Sequence, residues 1–236
     1  EDLLEELELD YALYPDGTSS INTLTSAAHG LLVDPVKMQE YDIIFFNCTS
    51  RIQAMVEGTP QMAGNLQAFV AAGGSVYASD WAWPYVEWPW PNAIDFAGQD
   101  QSFVKAYYPK ETAGPRQGPG PNETEMQSGV PPLQLTATII DADLALALGK
   151  TQITVYFDLG TWVVANAAGL GTATHAQAAV IDGDDDWGTR PLVLSFRPAP
   201  TSGHVVFTSF HNIAQQDAGG SVEDIKAILT YLVFSL

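Results

Sequence analysis

Three groups of residues in this 236-residue chain have the types that chemistry needs. Asp182, Asp184 and Asp186 alternate within Ile181–Gly188 (IDGDDDWG). A loop can present carboxylates to a hard divalent cation such as Ca2+ at that spacing. The pattern departs from an EF-hand, because the glycine falls one place late, at Gly188, and the twelfth position is Val193 rather than Glu. A turn of solvated acids gives the same spacing. The second group is Trp81, Trp83, Tyr85, Trp88 and Trp90, crowded into WAWPYVEWPWP. Such rings anchor protein contacts, stack on sugars, or simply pack over a sheet edge as a lid. Pro84, Pro89 and Pro91 would stiffen the segment and lower its ordering cost on binding. The third group is the lone Cys48 with His29, His175, His204 and His211. One cysteine excludes an intrachain disulfide and a Cys-based zinc cluster, and the scattered histidines lend tetrahedral zinc little support. A reactive thiol needs cationic neighbours that this chain rarely offers, so Cys48 is expected to be quiet and partly buried.

Charge narrows the partners. Twenty-eight Asp and Glu face nine Lys and Arg, for a formal charge of −19. Displacing phosphate counterions needs cations, which excludes nucleic acid and argues against anionic membrane surfaces. No apolar run approaches the ~20 residues of a membrane span. The acidic Glu1–Asp10 segment is the opposite of a basic leader. The acidity suits an extracytoplasmic or salty setting, and Asn47-Cys48-Thr49 and Asn122-Glu123-Thr124 add only short sequons. Hydrophobic residues at 46% can fill a sizeable core, which excludes global disorder.

The elements that must position these residues are legible from periodicity. Leu3, Leu4, Leu7 and Leu9 suggest a first helix, followed by a short strand at Tyr11–Tyr14 and a turn of helix at Val36–Glu40. Tyr41–Asn47 (YDIIFFN) is a continuous apolar run, as in a parallel strand buried on both faces. A helix over 59–72 ends at Gly73-Gly74, and Ser75–Ala78 is the next strand, which makes a right-handed crossover unit. Tyr107–Pro132, rich in Pro and Gly, reads as a long loop. Beyond it come strands at Leu133–Ile139, Gln152–Phe157, Thr161–Ala165, Ala176–Ile181, Leu192–Phe196 and Gly203–Ser209. A helix at Asp141–Leu148 and a last one from Ser221 to Leu236 complete the pattern, with Ser221 as N-cap.

At YDIIFFN (Tyr41–Asn47), FVAAGGSVYASDWA (Phe69–Ala82) and GHVVFTSFHN (Gly203–Asn212) the chain resembles class I glutamine amidotransferase-like domains. It is similar to a divergent extracytoplasmic bacterial branch of them. The resemblance implies an α/β fold: a flavodoxin-like three-layer sandwich with a mostly parallel central sheet, here with a β-rich second half. It implies one domain over 1–236 with a Trp/Pro/Gly-rich loop insertion at about 81–132. It places Asp80 where catalytic members carry the nucleophilic Cys, and it aligns His211 with their catalytic His. The Pro-Glu that follows that His is Asn212-Ile213 here.

Three functional expectations follow. The first is a catalytically inactive amidotransferase-like domain, a binding or interaction module of an extracytoplasmic bacterial protein. It would meet a protein, a small ligand or a carbohydrate through Trp81, Trp83, Tyr85, Trp88 and Trp90. The second is a hydrolase using Asp80 with His211, since a carboxylate can act as nucleophile or orient a histidine base. The third is a structural subunit or homo-oligomer, calcium-stabilised through Asp182, Asp184 and Asp186. No cofactor is expected beyond that Ca2+.

Overall fold

The computed structural model describes residues 10–15, 26–48, 61–96, 133–157, 162–182, 185–211 and 222–234. Two short helices come first among the described elements. In α1 (Ala27–Leu32) the Ser26 hydroxyl accepts the His29 N–H. In α2 (Pro35–Met38) the Asp34 carboxylate accepts two N–H groups, and Pro35 occupies the first turn, where its missing donor costs nothing. Strand β1 (Ile43–Phe46) follows. Helix α3 (Met62–Ala71) leads to β2 (Ser75–Ser79), which pairs with β1 in parallel. Met62, Leu66, Phe69 and Val70 of α3 share one face and are fully buried. Each such side chain contributes on the order of 2 kcal/mol. Tyr11–Tyr14 does not form the expected strand. Tyr14 instead stands edge-on to Tyr41, ring centroids 5.9 Å apart. The first-helix reading at Leu3–Leu9 lies outside the described residues, as does the N-cap reading of Ser221.

The aromatic stretch is built structure as far as Phe96. A 3-10 turn (Asp80–Ala82), helix α4 (Pro84–Glu87) and strand β3 (Ile94–Phe96) follow one another. Residues 97–132 lie outside the described residues. The chain resumes with β4 (Leu133–Ile139), α5 (Ala142–Leu148), β5 (Gln152–Phe157) and β6 (Ala165–Ala168). Then come β7 (Thr172–Asp182), β8 (Asp185–Phe196), β9 (Val205–Thr208) and α6 (Val222–Phe234).

Strand order corrects the expected fold class. The main sheet runs β1-β2-β9-β8-β7-β4-β5. Only β1 with β2 and β2 with β9 pair in parallel, whereas β9–β8, β8–β7, β7–β4 and β4–β5 are all antiparallel. The result is a mixed seven-stranded sheet curled into a half-barrel with few helices, not a mostly parallel flavodoxin-like sandwich. The cause is local. β7 and β8, 11 and 12 residues long, form one long hairpin that needs no crossover helix. β1, the continuous apolar run, lies at the sheet edge, with only Ile44 of its four residues buried. Its Phe46 is covered by stacking on Tyr85, centroids 4.0 Å apart.

Each face of the sheet carries its own core. One collects α3, Trp83, Tyr85, Phe96 and Phe207. The other collects Trp162, Phe210 and the α6 residues Ile225, Ile228, Leu229 and Leu232. The loop before β9 passes so close to the end of α3 that a Cβ on Gly203 would lie 2.0 Å from the Gly74 carbonyl oxygen. Only glycine fits there. The Gly203 N–H uses this approach to donate to Val70 O at 2.8 Å.

Candidate functional site at the sheet edge

The three parallel neighbours β1, β2 and β9 end on the same edge of the sheet. In open α/β arrangements the carboxyl edge is where ligands sit. Cys48 lies two residues past β1, Asp80 follows β2 directly, and His211 lies three past β9. The ladder registers bring these ends side by side: Phe46 pairs with Ala78, and Ser79 with Thr208. The end of β9 is further pinned by the Thr208 hydroxyl, 2.7 Å from Tyr77 Oη and donating to Phe210 O at 3.2 Å.

Asp80 is fully buried, at 0% exposure. Its φ of +47° is the one left-handed backbone among the described non-glycine residues. Asp tolerates that region better than most residues, yet a non-glycine residue is held there only by its surroundings. Here the hold is visible: Oδ1 accepts the Val163 N–H at 2.7 Å, and Oδ2 lies 2.8 Å from His211 Nε2. The Cys48 thiol donates to the same Oδ2 at 3.5 Å. Burial by itself would push the His211 imidazole down. The adjacent Asp80 carboxylate, with Cys48 beside it, outweighs burial and raises it from the usual 6.5 to about 11. His211 is therefore an imidazolium at neutral pH. It is poorly suited to act as a general base, which works best near the operating pH.

The structure thus brings Asp80 and His211 together and adds Cys48, for which the sequence alone predicts only a quiet thiol. Spacing alone could not reveal this, since the three residues lie on different strand ends. Nor could it reveal the Val163 N–H, because a backbone donor carries no side-chain signature. The aromatic residues split into two sets. Trp83 and Tyr85 are core residues, 1% and 4% exposed. Trp81, Trp88 and Trp90 are half-buried against the same core. Of the acidic loop, the backbone places Asp182 opposite Asp185 and Asp186 opposite Ile181 at the hairpin tip, while Asp184 lies outside the described residues.

The opposite edge of the sheet holds a second polar constellation. His175 Nδ1 is 2.5 Å from Asp141 Oδ2, and its Nε2 is 2.7 Å from Ser195 Oγ. Asp141 also caps α5 through Oδ1, which accepts the N–H groups of Asp143 and Leu144. Burial opposes ionisation of Asp141, but the bonds from His175 and Leu144 win and hold its carboxyl below the usual value. The network ties the start of α5 to β7 and β8. His204, beside it at the start of β9, has neither ring nitrogen hydrogen-bonded among the described residues. Burial first, then the charges of Arg197 and His175, push it down to about 4.

No known protein family and no curated protein matches the sequence. Solved structures similar to the chain include the cytoplasmic protein STM3548 from Salmonella typhimurium, 10% identical over 98% of this chain and 84% of that one, with a TM-score of 0.56. They also include a ThuA-like protein from Bacteroides uniformis, 9% identical over 83% and 70%, with a TM-score of 0.49. ThuA-like proteins have a glutamine amidotransferase-like fold. An IFT52 N-terminal domain, 8% identical over 85% and 81%, scores 0.48. Identities this low speak to fold and not to chemistry, and the two scores below 0.5 support no argument. No helix among the described residues is long and apolar enough to cross a membrane.

Proposed function

We propose that the chain is a ligand-binding module, of extracytoplasmic setting, without glutaminase chemistry. Its ligand seat is the carboxyl edge of β1, β2 and β9 around Cys48, Asp80 and His211. One observation carries this: Asp80, in the nucleophile position implied by the resemblance, is fully buried with both oxygens engaged. A nucleophile must reach its substrate, whereas a wholly covered carboxylate works as an anchor. The protonated state of His211 weighs against the Asp80/His211 hydrolase in the same way. Trp81, next in sequence to Asp80 and half-buried, is the aromatic residue best placed to border the seat. The charge of −19 supports the extracytoplasmic setting.

The test has two arms, both run in chelator. Incubation with glutamine and with chromogenic esters should show no turnover above an Asp80→Asn control. A thermal-shift panel of small sugars, amides and carboxylates should yield stabilising compounds whose effect is lost in His211→Gln. Turnover that Asp80→Asn abolishes would overturn the reading, as would stabilisation by no compound in the panel.

A further inference from the structure

We propose that Cys48, Asp80 and His211 together bind one divalent transition-metal ion of the zinc type. The proposal rests on reading this edge as a ligand seat and names what the seat holds.

The donor atoms are already gathered. A sulfur, a carboxylate oxygen and an imidazole nitrogen lie within 4.8 Å of one another, and a bound ion would displace the protons that the thiol and the imidazolium carry without it. They follow within three residues the ends of three adjacent hydrogen-bonded strands, which anchor the segments that carry them. The mixture of donors selects the ion. Calcium and magnesium take oxygen ligands, and a thiol with an imidazole disfavours both. Zinc accepts sulfur, nitrogen and oxygen together, and softer thiolate with imidazole suits borderline metals generally. Three protein ligands leave a fourth position for water or for an outside ligand, which is how a metal would belong to a binding seat.

Two further observations point the same way. The Val163 N–H holds Asp80 Oδ1 and turns Oδ2 inward, as outer hydrogen-bond partners do for metal-ligating carboxylates. In addition, a single oxygen, Oδ2, faces both the imidazole and the thiol, so the groups converge on one small volume. The left-handed backbone of Asp80 is the local cost of aiming that carboxylate there. The sequence around Asp182, Asp184 and Asp186 offers carboxylates but no sulfur or imidazole, and serves as the internal control.

The experiment loads the purified chain with Zn2+, dialyses it against metal-free buffer and counts retained zinc by mass spectrometry. One equivalent is expected. Replacement by Co2+ should give a sulfur-to-cobalt charge-transfer band in the near ultraviolet. Cys48→Ser should lose the band, and His211→Gln should weaken zinc binding at least about tenfold. Asp182→Asn combined with Asp184→Asn should change neither. Circular dichroism establishes that each variant is folded, and if His211→Gln is not, Cys48→Ser with its part-exposed thiol decides alone. Folded wild type that retains no zinc would overturn the proposal, as would retention unchanged in Cys48→Ser. Because the small-molecule panel runs in chelator, hits there without zinc retention sink the metal and leave the ligand seat standing. Zinc retention together with Asp80-dependent turnover would sink the non-catalytic reading and leave the metal.

Discussion

The Val163 amide reaches across the fold to donate to Asp80 Oδ1 at 2.7 Å, joining residues 83 positions apart. This bond fixes a buried carboxylate that also faces an imidazolium. Removing the carboxylate therefore does more than delete a hydrogen bond. Asp80→Ala leaves the His211 charge unmatched and sets alanine in the left-handed region. A loss of about 3 kcal/mol in unfolding free energy is expected by denaturant titration. Asp80→Asn keeps an oxygen for Val163 and tolerates the backbone, so it should cost clearly less. Equal losses in the two variants would show that the Val163 hydrogen bond and the left-handed backbone add nothing beyond the charge pair.

Stability at alkaline pH follows from His211. Its folded pKa, about 11, lies above the usual 6.5. Its contribution is thus fully present below pH 6.5 and drains away as pH rises toward 11. Wild type should lose Tm steadily over that window, and His211→Gln should show a flatter alkaline limb. Parallel limbs would contradict the ion pair.

His204 has the opposite sign. Its folded pKa is pushed down from 6.5 to about 4. The stability it contributes is present above pH 6.5 and is lost as pH falls toward 4. His204→Asn should blunt the decline in Tm between those values while leaving the alkaline limb alone. NMR titration of the ring protons reads the same shift directly.

Two glycine substitutions should differ in sign. Gly203→Ala drives a methyl into the Gly74 backbone and should cost more than about 3 kcal/mol, or abolish folding at 37 °C. Gly64→Ala, in α3 with open space around it, should stabilise by roughly 0.5–1 kcal/mol. Chemical denaturation of both variants checks the pair.

Trp83→Ala should cost about 3–5 kcal/mol, because the ring is buried against Phe96, centroids 5.7 Å apart. Trp88→Ala, half-buried, should cost visibly less. A binding test by mutation of the aromatic segment therefore has to use Trp81, Trp88 and Trp90, since Trp83 and Tyr85 report on folding.

Much of the local structure was legible because its signals are local. The α3 face at Met62, Leu66, Phe69 and Val70 shows in a 3.6-residue period, and Asp141 before an apolar run marks the start of α5. The sheet's character was not. A run such as Ile43–Phe46 looks the same whether a strand is central or lies at the edge, and periodicity says nothing about the direction of a partner strand. The long β7–β8 hairpin hides behind its bulges, which shift the alternation near Thr174 and Val180. At the site, Asp80 and His211 stood out only through the resemblance. Cys48 was passed over because its neighbours come from elsewhere in the chain.

The pairing of β2 with β9 has a kinetic consequence. Ser75 and His204 meet although 129 positions separate them, so β9 must close a very long loop before the parallel ladder exists. Such closures are slow relative to the local β7–β8 hairpin. A nascent chain can thus complete the hairpin early, while Asp80 waits for His211 until the last strand arrives. The site is then a late product of folding, and its chemistry reports that the whole sheet has assembled.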